Sequence, residues 1–275
     1  MNAIALPRRT IVIPGLAALV LSYACMSGAA AQAMPDPAAG DTLVAGVQYV
    51  PPPFVAGEKV RTPESPATAL LEDLAKRLSL QARTVTADPA TPEAMLAAGK
   101  ARLLLVPVSE PDALGAATTS IPTGYSSGAM AIMRTDTDIK TWEQLKGRTV
   151  CLAEGGRYSG QMATRYGAIE KSFKAPADSL LALRIGGCDA AVHDSAMLNA
   201  LIKLPEWKKF SARLPVRDTA PLAFVIPSDD VLSRGTLKQV VRDWASSAYL
   251  EKLTTLAARD IAFEVYLDQT VTDCH

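Results

Sequence analysis

Histidine is nearly absent from this 275-residue chain: His193 and His275 are the only two. No cysteine pair is spaced as Cys-x-x-Cys, so the ligand patterns of a zinc site are missing. Net charge is absent as well, with 28 basic residues against 28 acidic ones. No basic run, and no interleaving of aromatic with basic residues, breaks that balance. Nucleic acid and anionic membrane surfaces are therefore not expected partners. No apolar run reaches the ~20 residues of a membrane span. Internal repeats are lacking, and the one low-complexity tract is the linker Pro35 to Gly40.

What is present describes a globular, exported protein. Hydrophobic residues make up 49% and charged residues 20%, enough to build one large core or two modest ones. At the start, Arg8 and Arg9 precede an apolar run from Ile11 to Leu21, and small residues then lead to Ala31-Gln32-Ala33. This order is that of a secretory signal cleaved to leave a chain from Met34. The alternative, a retained anchor, is disfavoured by the shortness of the run. Cys25 follows Leu21-Ser22-Tyr23-Ala24, a poor lipoprotein box because tyrosine stands where a small residue belongs. Export implies an oxidising compartment, and Cys151, Cys188 and Cys274 then suggest one disulfide and one remaining thiol.

From Met34 onward, strand-like and helix-like stretches alternate. Thr42 to Tyr49 reads as a strand ahead of Pro51-Pro52-Pro53. Ser65-Pro66 starts a helix in which Leu70, Leu71, Leu74 and Leu78 form an apolar stripe. Gln81 to Val85 is a strand, Thr91 to Ala98 a short helix closed by Gly99, and Leu103 to Val108 a strand apolar on both faces. Strands follow at Ala129 to Arg134, Thr149 to Ala153, Ile169 to Phe173, Cys188 to Val192 and Leu222 to Ile226. Helices are expected near 141–147, 159–166, 179–185, 195–203, 235–245 and 247–258. The alternation defines an α/β fold, and its two runs suggest two lobes, each a mainly parallel sheet with flanking helices.

Residues 124–128, Gly-Tyr-Ser-Ser-Gly, match the G-x-S-x-G pattern of a serine hydrolase elbow. An elbow needs a strand before the serine and a helix directly after it. Here the stretch from Ala129 to Met133 is strand-like, and neither histidine stands in the expected order after an acid. Ser126 reads as a turn residue, not a nucleophile.

Tyr125-Ser126-Ser127-Gly128, a strand with Arg134, and then Trp142-Glu143-Gln144-Leu145-Lys146-Gly147-Arg148-Thr149-Val150 resemble the interlobe passage of type II periplasmic solute-binding proteins. The likeness is to the amino-acid-binding (extracellular solute-binding family 3) type of ABC transporters. Pro52-Pro53-Phe54 is similar to a motif after that family's first strand, and Leu74-Ala75-Lys76-Arg77-Leu78 to its first helix. The run from Leu183 through Gly186, Asp189 and Ala190 to Asp194 resembles a third motif. The resemblance covers nearly the whole chain after the signal. It implies a signal peptide at 1–33, lobe 1 at 34–124 with 222–275, and lobe 2 at 125–221. It also makes neighbours of the strands carrying Cys151 and Cys188, and so pairs those cysteines. Gly155-Gly156 would precede a helix whose free N–H groups face the cleft, an anion site.

The cleft residues implied are Phe54, Ser109, Tyr125, Gly156, Arg157, Tyr158 and Asp194. Asp194 would receive a ligand ammonium, its alternative role being the N-cap of the helix from Ser195. Arg157 would grip a carboxylate, or else stand as a solvated loop residue. Phe54, Tyr125 and Tyr158 are cleft walls or core. The sequence departs from the family at the arginine that holds an amino acid's carboxylate: Ala113 stands there. These features imply a periplasmic protein that captures a small, non-standard amino-acid-like or organic ligand for an ABC permease in the inner membrane. The alternative is an accessory protein assisting a periplasmic quinoprotein-type dehydrogenase. An enzyme is disfavoured, because Glu154 is the only candidate acid near the cleft. No catalytic residue, metal or cofactor is expected.

Overall fold

A computed structural model describes residues 42–50, 56–57, 59–87, 91–110 and 114–269. The signal segment, the linker, Cys25, Phe54, Ala113, Cys274 and His275 lie outside the described residues.

The first half of the chain lays down β1 (Thr42–Val47), α1 (Ala67–Arg77), β2 (Gln81–Thr86), α2 (Pro92–Ala97) and β3 (Leu103–Pro107). β1 pairs in parallel with β2 on one side and β3 on the other. Next come β4 (Thr118–Met133), β5 (Thr149–Ala153), α3 (Gln161–Tyr166), β6 (Ile169–Phe173), α4 (Pro176–Arg184), β7 (Ala190–Asp194) and α5 (Ser195–Leu201). Here β5 is the centre of a second parallel trio, flanked by β6 and β7. The chain ends with β8 (Ala212–Arg213), β9 (Arg217–Pro227), α6 (Val231–Ser246) and α7 (Tyr249–Asp268). Two 3-10 turns, Trp142–Leu145 and Pro205–Phe210, complete the described elements.

The strand order is β2-β1-β3-β9-β4-β7-β5-β6, with β8 beside β4. Each parallel trio is therefore bordered by one long antiparallel strand, and β4 and β9 join the two halves. Their mutual pairing runs regularly from Thr118 to Pro122 and then shifts register between Pro122 and Ser126 and again between Ser127 and Ala129. Gly124 within this stretch has φ +91°, a backbone that suits glycine.

Residues 124–128 are thus strand, not the turn expected from sequence. Ile121, Thr123, Tyr125 and Ser127 alternate inward, while Pro122, Gly124 and Ser126 face out. The period of two escapes a hydrophobicity reading because two inward residues are polar. Thr123 is satisfied there, its hydroxyl donating to the Leu222 carbonyl at 2.8 Å. With β4 continuing to Met133, no helix follows Ser126, and an elbow is excluded.

Leu70, Leu71 and Leu74 of α1 are wholly buried against β1, β3, β9 and the α6 residues Leu237, Val240 and Trp244. Each such leucine contributes about 1.5–3 kcal/mol of apolar burial. A separate core gathers α4, α5, Trp207 and the α7 residues Ala258, Ile261, Ala262 and Val265. Those α7 positions follow helical spacing, and the helix runs ten residues past the Ala258 end expected from sequence. The tail divides accordingly, α6 serving the first core and the middle of α7 the second. Cys151 on β5 is disulfide-bonded to Cys188, with Cα atoms 5.9 Å apart.

Candidate functional site

A cleft of about 680 Å³, its open mouth included, lies where β4 and β9 pass between the two halves. Tyr49 after β1, Glu64 and Ser65 before α1, and Pro107 at the end of β3 form one wall. Ala153, Glu154, Gly156 and Arg157 after β5, with Asp194 at the end of β7, form the other. Tyr125, Ser127, Ala220 and Leu222 of the joining strands make the floor.

Asp194 holds the centre. It is only 7% exposed, and its carboxylate does not cap α5 although the residue occupies the cap position. Ser127 takes that task from β4, its hydroxyl oxygen accepting from the Ala196 N–H at 3.2 Å. Asp194 is left free to accept from two phenols: Tyr158 donates to Oδ1 at 2.5 Å and Tyr125 to Oδ2 at 3.3 Å. Burial and the charge on Asp194 raise both phenol pKa values far above the ordinary range, so both remain donors.

A second carboxylate stands against the first. Glu64 Oε1 accepts from the Asp194 backbone N–H at 2.6 Å, and Oε2 lies 3.4 Å from His193 Nδ1. Burial, helped by the charge on Glu64, pushes the Asp194 carboxyl up to about 6, against the pull of the Tyr158 hydroxyl and the Arg157 charge. In the unfolded chain the same carboxyl ionises near pH ~3.9, so native Asp194 keeps its proton while the unfolded chain loses it. The empty protein should lose up to about 3 kcal/mol of stability from this group as pH rises from about 4 to about 6. Urea unfolding against Asp194→Asn checks this. The variant's advantage should be absent near pH ~4 and complete above pH ~6; an advantage independent of pH would contradict it.

Glu64 is fixed by its neighbours in sequence. Arg61 pairs with Asp178 of α4 at 2.6 Å and with Asp268 of α7, which also meets Lys59. Thr62 donates its backbone N–H and its hydroxyl to Glu264 of α7 at 2.9 and 2.6 Å. Segment 59–64 is thereby strapped across α4 and α7, with Glu64 turned into the cleft.

His193 Nε2 and Ser179 Oγ lie 2.7 Å apart, so Glu64, His193 and Ser179 stand in series as acid, imidazole and hydroxyl. Both His193 and Ser179 are wholly buried, and no solute reaches the hydroxyl.

Arg157 lines the cleft, yet its terminal nitrogens already donate to backbone: Nη1 to the Ser127 carbonyl at 2.9 Å and Nη2 to the Asp218 carbonyl at 2.8 Å. It ties β4 to the start of β9. The anion site expected after Gly155-Gly156 is not formed. α3 begins only at Gln161, and the Glu170 carboxylate takes the N–H groups of Gly160 and Ala163 at 2.7 and 3.0 Å. Gly156 is needed for another reason: a Cβ there would lie 2.9 Å from the Ala153 carbonyl and 3.2 Å from Glu64 Oε2.

Of the residues singled out from sequence, Tyr125, Gly156, Arg157 and Asp194 meet in this cleft. Tyr158 stands behind Asp194, 2% exposed, and reaches the site only through its hydroxyl. Ser109 lines an adjoining depression with Gln48, Gln161 and Arg157. Phe54 lies outside the described residues. Sequence reasoning missed Glu64, Tyr49 and Ser127. Only the position of Glu64, just ahead of the Ser65-Pro66 helix start, offered a signal. Among the described residues no cluster of three or more His, Cys, Asp or Glu side chains is placed to hold a metal ion. No described helix is long and apolar enough to cross a membrane.

No protein-family model matches the chain, and no curated protein matches it. Solved structures do. A mutant of ArgBP from T. maritima aligns with a TM-score of 0.52 at 21% identity, over 78% of this chain and 93% of that one. The amino acid ABC transporter substrate-binding protein AbpA from Streptococcus pneumoniae, bound to L-arginine, gives 0.53 at 16% identity, over 80% and 96%. The GLUR0 ligand binding core in complex with L-glutamate gives 0.52 at 18% identity, over 79% and 98%. Together these define the class: the chain has the α/β, two-lobed fold of type II periplasmic binding proteins.

Proposed function

We propose that this chain is an exported solute-binding protein that captures a small organic cation in its interlobe cleft and delivers it to an ABC importer, without chemistry of its own. One observation carries the reading: a buried carboxylate, Asp194, held by two phenol donors and set against a second carboxylate, Glu64, in an open cleft. An ammonium group supplies the counter-charge this pair lacks and relieves its mutual repulsion. The neighbours support capture of a small nitrogenous solute, since AbpA is bound to L-arginine and GLUR0 to L-glutamate. Lobe 1 is taken as 34–124 with 222–275 and lobe 2 as 125–221, with the middle of α7 resting on lobe 2. Residues 1–33 act as the export signal, and the permease docks on the closed form.

Isothermal calorimetry on the purified protein, with a panel of amines, basic amino acids, acidic amino acids and sugars, tests the reading. Compounds with a net positive charge should bind, and those with a net negative charge or none should not. Binding confined to acidic or neutral compounds would overturn it.

A further inference from the structure

Resting on that reading, we infer that the cleft is built for an organic amine that carries no carboxylate. A free amino acid presents an anion as well as a cation, and a cleft for one must offer both charges. This cleft is lined by Glu64, Glu154 and Asp194, against a single cation among the described lining residues, Arg157. The guanidinium is committed: its two terminal nitrogens hold the carbonyls of Ser127 and Asp218. Swinging it toward a ligand carboxylate would strip both carbonyls of a charged donor.

The other anion-holding device, the start of α3, is filled by Glu170. Lys59 and Arg61, the basic residues nearest Glu64 in sequence, are occupied on Asp178 and Asp268. A carboxylate entering the cleft would therefore meet three like charges, with no free guanidinium or ammonium among the described lining residues to receive it, a repulsive element that selects against amino acids. The ligand class that fits is an alkyl amine, diamine or guanidino amine, such as an amino acid becomes on losing carbon dioxide. The apolar remainder of its chain has Leu105, Pro107, Ala220 and Leu222 to lie against.

Calorimetry at neutral pH with three matched pairs tests this: arginine with agmatine, lysine with cadaverine, ornithine with putrescine. In each pair that binds, the decarboxylated member should bind at least about tenfold more tightly. An amino acid that binds as tightly as its amine, or more tightly, overturns this inference and leaves capture of a cation standing. A panel in which neither member of any pair binds overturns both.

Discussion

Asp194→Asn should lower affinity for an organic amine by at least about a hundredfold while leaving the fold intact. The substitution keeps the side chain's size and leaves a carbonyl oxygen for one of the two phenols, Tyr125 or Tyr158, to donate to. What it removes is the only charge at the centre of the cleft that is nine-tenths or more buried. Losing one partner of a buried ion pair costs about 3–5 kcal/mol, which sets the size of the effect. The direction in the empty protein is opposite. Without ligand the charge on Asp194 is a liability, so the variant should unfold at higher urea than the wild type at neutral pH. Calorimetry and urea titration on the same sample check both signs. A variant that binds amines normally removes Asp194 from the site. One that loses binding and also loses stability reports a damaged fold, not a missing contact.

Replacing Cys151 and Cys188 together by alanine should cost about 3–4 kcal/mol of stability, by the entropy of the loop they close. The bond spans 37 positions in sequence, and both residues lie in the core that contains α4, α5 and α7. Cys151 is wholly buried on the central strand of its trio, and Cys188 stands two residues ahead of β7. The tie thus fixes the approach to the strand that ends at Asp194. Urea unfolding of the oxidised protein against the double variant gives the difference directly. A loss below about 1 kcal/mol would mean that core packing alone holds this half, since native disulfides of exported domains commonly contribute ~2–5 kcal/mol.

Some of this architecture could be read before any coordinates. The leucines of α1 and the apolar runs of β3 and β7 are dictated by burial on one or both faces, and such patterns survive in a single sequence. Asp194 was legible through the run from Leu183 to Asp194 that resembles a motif of the solute-binding family. β4 was half hidden, because its inward Thr123 and Ser127 spend their polarity on backbone partners that lie 99 and 69 positions away. The far half of α7 was hidden because its outward face carries Leu256, Phe263 and Tyr266, which blur the helical stripe. Glu64 was illegible for a deeper reason. Apart from its place ahead of the Ser65-Pro66 helix start, it reads as a solvated loop residue; the strap from Arg61 and Thr62 to α4 and α7 turns it inward. The role of Arg157 was likewise set by distant backbone, since its partners are carbonyls on β4 and β9.

The proposed function requires two lobes that draw together over a cation. Small-angle X-ray scattering of the purified protein, recorded with and without a saturating amine that calorimetry has shown to bind, tests it most directly. The radius of gyration should fall on adding the amine, and should not change in Asp194→Asn under the same conditions. A protein that binds the amine with no change in its scattering, or whose Asp194→Asn variant contracts as the wild type does, would contradict it.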